Sequence, residues 1–195
     1  MRPLKNIVVI DLDGTLCNVD HRLHYVRSKK KNFTKFYAEV GNDTPNDWCL
    51  YMLSSLFHYR MIIVLVSARP KELTVETRNW LAKWNIPFHS LYLIRPSYTD
   101  STPDVELKQA WLDKFVDKDR ISFTVDDRQR VVDMWRKNGL TCLHCSDWTE
   151  FKAHKNLSPI QAQARDVFKK GDGTMIDIPM SRRDKGISKL DRKNL

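Results

Sequence analysis

The sequence predicts an α/β fold in which a parallel β-sheet lies between two layers of helices. Short runs of apolar and β-branched residues recur along the 195-residue chain, and segments with helical spacing of apolar residues separate them. Such runs are typical of strands that are buried on both faces, as parallel strands are. Because consecutive parallel strands need a crossover, their alternation with helices favours one sheet covered on both sides.

The predicted elements follow this pattern in chain order. Strands are expected at residues 7–10, 61–66, 91–94, 121–125 and 140–144, and helices at residues 33–40, 47–59, 73–84, 104–116 and 131–137. Asn46 or Asp47 can cap the second helix, and Asn138 with Gly139 is a typical stop for the last one. The apolar face predicted for the second helix consists of Trp48, Leu50, Tyr51, Leu53 and Leu56.

The stretch from about residue 18 to residue 46 separates the first strand from the first long helix. It contains the basic run Lys29–Lys31 and only one short predicted helix. A stretch of this length is too short to form a second domain with its own core. We therefore expect a small flap over the end of the first strand.

The chain is predicted to consist of one α/β domain over residues 1–157 and a basic C-terminal tail over residues 158–195. The tail lacks helical or strand periodicity, which is typical of a flexible segment. The formal net charge is +9, and the sequence from residue 155 onward holds ten Lys or Arg against five Asp. A positive surface favours polyanionic partners or substrates, although such a tail can also serve only to raise solubility.

The composition argues against several classes of protein. No run approaches the roughly 20 apolar residues of a membrane span, and the first residues lack the pattern of a signal peptide. Four cysteines in 195 residues do not indicate a disulfide scaffold. We therefore expect a soluble protein of the cytoplasm with no membrane partner.

Two carboxylates, Asp11 and Asp13, follow the first predicted strand with one residue between them. The period of two in a strand places both side chains on the same side. Gly14 permits a sharp turn, and Thr15 adds a hydroxyl and an N–H group beside the acids. Open α/β sheets usually bind ligands at this end of their strands, although this stretch alone is also compatible with an acidic turn.

Polar groups also follow the other strands. They are Ser67 and Arg69 after the second strand, Arg95 after the third, and Asp126, Asp127 and Arg128 after the fourth. Since the carboxyl ends of parallel strands meet at one edge, we expect these groups to converge, together with Lys108 of the intervening helix. Clustered acids repel one another unless a cation joins them, and their oxygens suit Mg²⁺.

A phosphate ester is the substrate that these groups suit chemically. Asp11 can attack phosphorus to give an acyl-phosphate intermediate. Asp13 can protonate the leaving alkoxide and later deprotonate the hydrolytic water. Ser67 can donate a hydrogen bond to the transferring phosphoryl group, and Lys108 can supply a fixed positive charge.

The order of these residues resembles that of phosphatases of the haloacid dehalogenase (HAD) superfamily, over residues 7–151. The four motifs of that superfamily fall on Asp11/Asp13, Ser67, Lys108 and Asp126/Asp127. Residues 104–108 with Trp111, and residues 125–136, are similar to the phosphatase domain of phage polynucleotide kinase/phosphatase. The sequence contains no G-x-x-x-x-G-K-[ST], so the kinase motif of such proteins is absent from it.

This resemblance implies a Rossmann-like, HAD-like sheet with a minimal cap. It implies removal of a 3′-phosphate from nucleic acid ends or nucleotides, with Asp11 as nucleophile and Asp13 as general acid and base. It further implies Mg²⁺ held by Asp11, the backbone carbonyl of Asp13 and the pair Asp126/Asp127, of which Asp127 is the favoured direct ligand.

The same resemblance implies roles for the arginines and for partners. Arg69, Arg95 and Arg128 are expected to hold the substrate phosphate or to orient the acids, and Thr15 is a further substrate-binding candidate. The implied partners are 3′-phosphorylated DNA or RNA ends, and a separate kinase or ligase polypeptide in nucleic acid repair. A phage-encoded protein of this kind would act in the host cell cytoplasm.

Two other functions stay open at the level of the sequence. One is the same chemistry on a mononucleotide or another small phosphate ester, and the other is a catalytically inactive nucleic-acid-binding module. Binding of a polymer weakens steeply with salt, whereas binding of a mononucleotide responds less. The substitution Asp11→Asn separates turnover from binding.

Overall fold

The computed structural model describes residues 4–115 and 117–146, and these residues belong to one compact unit. The predicted domain boundary at residue 157 and the predicted tail over residues 158–195 lie outside the described residues. The described residues therefore include the central sheet and the strand ends that carry the predicted site residues.

Seven strands are present among the described residues, and five of them form a parallel sheet. The strands are β1 (Ile7–Ile10), β2 (Cys17–Asn18), β3 (Thr44–Pro45), β4 (Ile62–Pro70), β5 (Ser90–Arg95), β6 (Ile121–Asp126) and β7 (Cys142–His144). The sheet has the order β5-β4-β1-β6-β7, so β1 lies at its centre. Val9 of β1 pairs with Val64 of β4 on one side and with Thr124 of β6 on the other. The predicted parallel α/β sheet is confirmed.

Six α-helices connect and flank these strands in the described part of the chain. They are α1 (His24–Arg27), α2 (Phe33–Ala38), α3 (Asp47–His58), α4 (Thr74–Lys83), α5 (Asp104–Lys114) and α6 (Gln129–Lys137). Short 3₁₀ helices lie at Asp20–Arg22, Val40–Asn42, Lys71–Leu73 and Lys118–Arg120. The sequence pattern predicts α2 to α6, whereas the single turn of α1 is too short to show a periodicity.

The two faces of the sheet contribute to separate hydrophobic clusters. Val8 and Ile10 of β1 are buried in a cluster with residues of α3, α4 and the segment before α3. Ile7 and Val9, which point to the opposite face, are buried in a cluster with residues of α5 and α6. Burial on both faces explains the unbroken apolar run that predicts β1.

The apolar face of α3 is narrower than the sequence predicts. Leu53 is fully buried, but Tyr51 is 74% exposed and Trp48 is 43% exposed. Asn46 occupies the N-cap position without capping the helix through its side chain, because its Nδ2 donates to the Thr15 carbonyl over 2.7 Å. This bond ties the start of α3 to the loop after β1.

The chain between β1 and α3 forms the flap, residues 18–46. Its two ends are joined by the antiparallel pairing of β2 with β3, in which Cys17 faces Pro45 and Asn18 faces Thr44. Phe36 and Tyr37 of α2 are buried in the same hydrophobic cluster as Val8 and Ile10. The flap is therefore packed against the sheet at the carboxyl end of β1.

Within residues 4–115 and 117–146, none of the helices combines the length and the apolar composition needed to cross a membrane.

Candidate active site

The loop that follows β1 presents the two acids that the sequence singles out. Asp11 still belongs to the edge of the sheet, since its N–H donates to the Val125 carbonyl over 3.1 Å. Gly14 then adopts a φ of 93°, a left-handed conformation that favours glycine, and its N–H donates to the Cys17 carbonyl over 2.9 Å. This tight turn brings Asp11 and Asp13 into the lining of one cleft.

Asp11 lies in a group of three carboxylates, which we call the acid cluster: Asp11, Asp126 and Asp127. One oxygen from each carboxylate lies within 4.8 Å of the others. Lys108 of α5 lies between two of them, with Nζ 2.7 Å from Asp11 Oδ1 and 2.6 Å from Asp126 Oδ2. All four side chains are buried. The strand ends therefore converge as the parallel sheet requires.

The electrostatics of the acid cluster leave an excess of negative charge. Burial raises the pKa of Asp11 well above its ordinary value, Lys108 opposes this shift, and the charges of Asp126 and Asp127 add to it. Burial favours the neutral form of Lys108, but Asp11 and Asp126 outweigh it and raise the pKa of the ammonium group. Three oxygen donors with one lysine are a set that a hard divalent cation such as Mg²⁺ fits.

The two adjacent aspartates of the acid cluster have different surroundings. Asp126 Oδ2 accepts from Lys108 and, over 3.3 Å, from the indole N–H of Trp135. The Asp127 carboxylate accepts from the Thr15 hydroxyl over 3.5 Å, and its carbonyl lies 2.9 Å from His144 Nε2. Asp126 is thus held by α5 and α6, whereas Asp127 is held by the loop after β1 and by β7.

Thr15 faces the acid cluster and not the substrate side of the cleft. The residue is fully buried, and its hydroxyl lies 3.5 Å from both Asp127 Oδ1 and the Cys145 sulfur. The sequence suggests it as a substrate-binding residue, but this geometry instead supports a role in orienting Asp127.

Asp13 lies in a second group, which we call the arginine cluster: Asp13, Asp43, Arg22 and Arg69. Arg22 Nη2 lies 2.6 Å from Asp13 Oδ1 and 2.6 Å from Asp43 Oδ2. Arg69 Nη2 lies 2.6 Å from Asp13 Oδ1 and 2.9 Å from Asp43 Oδ2. Two carboxylates and two guanidinium groups therefore alternate around one buried ring of ion pairs, and the flap supplies two of the four side chains.

The arginine cluster keeps Asp13 ionised. Burial by itself would raise the pKa of Asp13, but the charges of Arg69 and Arg22, and their hydrogen bonds to the carboxylate, hold the pKa below its ordinary value. Arg22 and Asp43 have no local sequence pattern that marks them. They could have been sought as counter-charges, because a carboxylate such as Asp13 that is largely removed from solvent needs an opposite charge from elsewhere in the chain.

The three arginines that the sequence suggests for substrate have three different environments. Arg69 has no exposed surface, so the geometry favours orientation of Asp13 over direct contact with substrate. Arg95 donates to the carbonyl groups of Ala68, Asp100 and Thr102, and so it holds the loop after β5. Arg128 lines the cleft and pairs with Asp104, and its side chain is 41% exposed.

The cleft that contains these groups has a volume of about 440 Å³. Asp11, Asp13, Ser67 and Lys108 all line it, and Ser67 and Lys108 are buried at its inner end. The Ser67 hydroxyl oxygen accepts a hydrogen bond from the Arg69 N–H over 3.2 Å, which leaves the hydroxyl proton available to a ligand. A cleft of this size lies within the range of small-molecule sites.

A parallel sheet whose strand ends bring together an aspartate pair, a serine, a lysine and a second aspartate pair defines a phosphatase of the HAD superfamily. The chain matches the family model described as "Polynucleotide kinase PNKP phosphatase domain" over residues 5–150, and it belongs to that family.

Solved structures with this fold agree with the family match. Two chains of a Pnkp1/Rnl/Hen1 complex, one of them described as an RNA repair complex, are 27% and 28% identical to this chain, each with a TM-score of 0.61. The matches cover 73% and 75% of this chain but only 43% and 48% of those chains, so it spans less than half of their length. No match was found among curated proteins.

A more distant structure shows the fold over a larger share of both chains. It is a predicted phosphatase from Clostridium acetobutylicum that is 15% identical to this chain, with a TM-score of 0.51. The match covers 85% of this chain and 99% of that one. The HAD-like fold is therefore common to proteins of widely different sequence.

Proposed function

We propose that this protein is a Mg²⁺-dependent phosphomonoesterase that removes the 3′-phosphate from nucleic acid ends. The observation that carries the proposal is the presence of Asp11, Asp13, Ser67 and Lys108 around one cleft, beside the acid cluster. Membership of the PNKP phosphatase family supports a nucleic acid end as the substrate. The likeness to chains of the Pnkp1/Rnl/Hen1 complex supports a role in repair.

The charge around the cleft supports a polyanionic substrate. Lys31 of the flap, Arg128 and Arg130 line the cleft together with the acids. Arg128 and Arg130 also form ion pairs with Asp104, at the start of α5, which holds both guanidinium groups beside the cleft. Cations in these positions stabilise a phosphodiester backbone that leads away from the terminal phosphate.

In the first chemical step, an oxygen of Asp11 attacks phosphorus. A bond between this oxygen and phosphorus forms, the bond between phosphorus and the 3′ oxygen breaks, and the product is an aspartyl phosphate. Asp13 gives its proton to the leaving 3′ oxygen. Lys108 and the Ser67 hydroxyl stabilise the charge on the phosphoryl oxygens during this transfer.

In the second step, Asp13 takes a proton from water, and the oxygen of that water attacks phosphorus and releases Asp11. The low pKa of Asp13 keeps this carboxyl group in the deprotonated form that this step requires. In the first step, the negative charge of a bound phosphate acts in the opposite sense and raises the pKa of the neighbouring carboxyl group. The proposed mechanism therefore requires that substrate binding raises the pKa of Asp13 enough for this carboxyl group to carry a proton.

The acid cluster is the proposed Mg²⁺ site. Asp11 and Asp127 are the proposed carboxylate ligands, with the Asp13 carbonyl as a third protein ligand and Asp126 held beside them by Lys108. When bound, the ion neutralises the excess negative charge of the cluster and the charge on the transferring phosphoryl group.

A comparison of four substrates tests the proposal. Equal amounts of a 3′-phosphorylated oligonucleotide, a 5′-phosphorylated oligonucleotide, and the 3′ and 5′ mononucleotides are incubated with the protein and Mg²⁺, and released phosphate is measured at low and high salt. We expect the fastest release from the 3′-phosphorylated oligonucleotide, with a rate that falls steeply with salt.

Other outcomes of this comparison contradict the proposal in distinguishable ways. Faster release from the 5′ esters overturns the 3′ assignment, and faster release from mononucleotides overturns the polymer assignment. An inactive binding module is identified if the oligonucleotide binds but no phosphate is released. In that case the wild type and Asp11→Asn bind it equally well. The Asp11→Asn protein is the control for contaminating phosphatase in each case.

We further propose that a separate kinase or ligase polypeptide acts on the same ends. The likeness to chains of a Pnkp1/Rnl/Hen1 complex, described in one case as an RNA repair complex, supports a partner in repair. Co-purification of the protein with a kinase or ligase activity from its native cells tests this proposal, and its absence from such fractions contradicts it.

A further inference from the structure

Three aromatic side chains, Phe33, Tyr37 and Tyr98, form a continuous group in the cleft, which we call the aromatic wall. The ring centroids of Phe33 and Tyr37 are 6.3 Å apart with an interplanar angle of 30°, and those of Tyr37 and Tyr98 are 5.9 Å apart. All three residues line the same cleft as Asp11 and Asp13. The group is therefore part of the site, although the phosphoryl transfer described above does not use it.

The aromatic wall is assembled from two distant parts of the sequence. Phe33 and Tyr37 are four residues apart on α2, so that they face the same side of this helix. Tyr98 belongs to the loop after β5, and this loop is fixed by the hydrogen bonds of Arg95 to the Asp100 and Thr102 carbonyls. Both supports are thus held in place, and the wall is formed before any ligand arrives.

The exposure of the rings changes along the wall. Tyr37 is 8% exposed, whereas Phe33 is 50% exposed and Tyr98 is 47% exposed. The charge of Asp13 contributes, after burial, to raising the pKa of Tyr37, so this residue is the member of the wall beside the catalytic acids. The wall therefore begins next to the reacting phosphate and opens to solvent through two half-exposed rings.

We propose that the aromatic wall stacks the nucleobase of the nucleotide whose 3′-phosphate is removed. This inference rests on the proposed function and adds a residue set that selects nucleotide esters over other phosphate esters. A base is linked to the phosphate through one sugar, and the exposed rings lie on the same cleft as the acids that receive the phosphate. Aromatic side chains stack any base, because every base has a π-face, so the wall accepts DNA and RNA ends of any sequence.

The charges around the wall favour a nucleotide over an apolar ligand. Lys31, which precedes Phe33 by two residues, lines the cleft beside it, and Arg128 lines the same cleft. Cations beside exposed aromatic rings are the combination that binds single-stranded nucleic acid, since the cations hold the phosphates while the rings stack the bases.

A matched pair of substrates tests this inference. One is an oligonucleotide with a 3′-phosphate on an ordinary terminal nucleotide, and the other is identical except that its terminal nucleotide lacks the base. We expect kcat/KM for the wild type to be about tenfold higher with the base present, which corresponds to about 1.4 kcal/mol of stacking.

Substitutions that keep the apolar volume but remove the ring sharpen the test. Phe33→Leu and Tyr98→Leu are expected to lower this tenfold preference to about twofold or less, whereas Tyr98→Phe keeps the preference. Tyr51→Ala, which removes an exposed aromatic ring of α3 outside the cleft, is the control and keeps the wild-type preference. Thermal unfolding of each variant verifies that it is folded.

A binding measurement makes the result independent of turnover. The Asp11→Asn protein is titrated with a 3′-phosphorylated oligonucleotide that carries 2-aminopurine as its terminal base, and stacking is expected to quench its fluorescence. Combining Asp11→Asn with Tyr98→Leu and Phe33→Leu is expected to remove the quenching. Unchanged quenching in this combination, or a wild type that ignores the base, overturns the inference.

The two proposals fail in different ways in these experiments. If 3′-phosphate is released at equal rates from base-bearing and abasic ends, the aromatic wall is not a base-stacking site. The 3′-phosphatase proposal is then unaffected. No release from either 3′ end, together with release from 5′ ends, removes the 3′ assignment, and the 2-aminopurine titration then decides on stacking alone.

Discussion

Asp11 and Asp13 are separated by one residue, yet the two carboxylates lie in opposite electrostatic environments. The acid cluster around Asp11 has three carboxylates and a single lysine, Lys108. The arginine cluster around Asp13 has two carboxylates and two guanidinium groups. Among the described ion pairs, two guanidinium groups face two carboxylates in the arginine cluster, whereas in the acid cluster Lys108 pairs with Asp11 and Asp126.

This difference matches the two roles that we propose for these acids, which are attack on phosphorus by Asp11 and proton transfer by Asp13. In the arginine cluster each carboxylate is paired with both guanidinium groups, which fixes the position of Asp13 and favours its ionised form. An unbalanced set of carboxylates is stable only with a further cation or with protons, and so it is suited to receive one. The pKa of Asp11 is accordingly raised, whereas that of Asp13 is lowered.

The largest expected effect is the loss of the proposed nucleophile. Asp11→Asn keeps the shape of the side chain but removes the attacking oxygen charge, and we expect phosphate release to fall by at least about 10⁴-fold. Asp113→Asn, an exposed acid of α5, is the matched control and keeps the wild-type rate. A nucleophile other than Asp11 is indicated if Asp11→Asn retains a tenth or more of the activity.

The balance of the arginine cluster is tested by Arg69→Met. This change leaves Asp13 and Asp43 with one guanidinium group between them, and we expect unfolding to become easier by about 3–5 kcal/mol. Urea unfolding monitored by circular dichroism measures the change. Arg120→Met removes a half-exposed pair with Asp117 and should cost less than about 1 kcal/mol, so equal losses in both variants contradict the assigned role of Arg69.

The imbalance of the acid cluster predicts a response to Mg²⁺. At a concentration of Mg²⁺ about 100 times its Kd, the wild type should gain about 2.7 kcal/mol of stability over the protein in EDTA. Asp127→Asn should lose most of this gain, whereas Asp43→Asn should lower the stability in both conditions and keep the gain. Thermal unfolding with EDTA and with Mg²⁺ measures both, and a full Mg²⁺ effect in Asp127→Asn excludes this carboxylate as a ligand.

The smallest expected effect concerns an indole hydrogen bond in each cluster. Trp80 Nε1 donates to the buried Asp43 carbonyl over 2.7 Å, and Trp135 Nε1 donates to Asp126 Oδ2 over 3.3 Å. Trp80→Phe leaves a buried carbonyl without its donor and should cost about 1–2 kcal/mol. Trp135→Phe should cost less, because the bond is longer and Lys108 still holds Asp126.

Urea unfolding of the two indole variants is compared with that of Trp84→Phe, a partly exposed residue at the end of α4 whose substitution should change stability by about 0.5 kcal/mol or less. If Trp80→Phe is no more destabilising than Trp84→Phe, the indole bond to Asp43 does not support the arginine cluster.

The central sheet was predictable because each parallel strand is buried on both faces and therefore appears as an unbroken apolar run. β2 and β3 have two residues each, and such short strands carry no periodicity. β4 continues through Ser67 to Pro70, beyond the predicted end at residue 66, because its neighbour β5 pairs with it as far as Arg95. Tyr51 was expected to be buried, since spacing alone does not reveal how wide a helix contact is.

The candidate site divides in the same way. Asp11, Asp13 and Ser67 could be found because each follows the end of a predicted strand, and the sheet brings strand ends together. Lys108 lies within the helix after the third strand, and the order of the HAD motifs marks it. Arg22 and Asp43 could not be found, because the flap places them and no strand points to their position. Predicting them would have required the counter-charges of every buried acid to be sought across the whole chain.

The arginine cluster has a consequence for how a substrate enters. Arg22 and Asp43 belong to the flap, while Asp13 and Arg69 belong to the sheet edge, so lifting the flap would separate the ion pairs that join these two parts. A cap that moves on a hinge admits and releases substrate by opening. This flap is instead joined by an ion pair to Asp13, the proposed proton carrier. The geometry therefore favours a flap that keeps its position, with the cleft lined by Asp11 and Asp13 as the way in for a substrate.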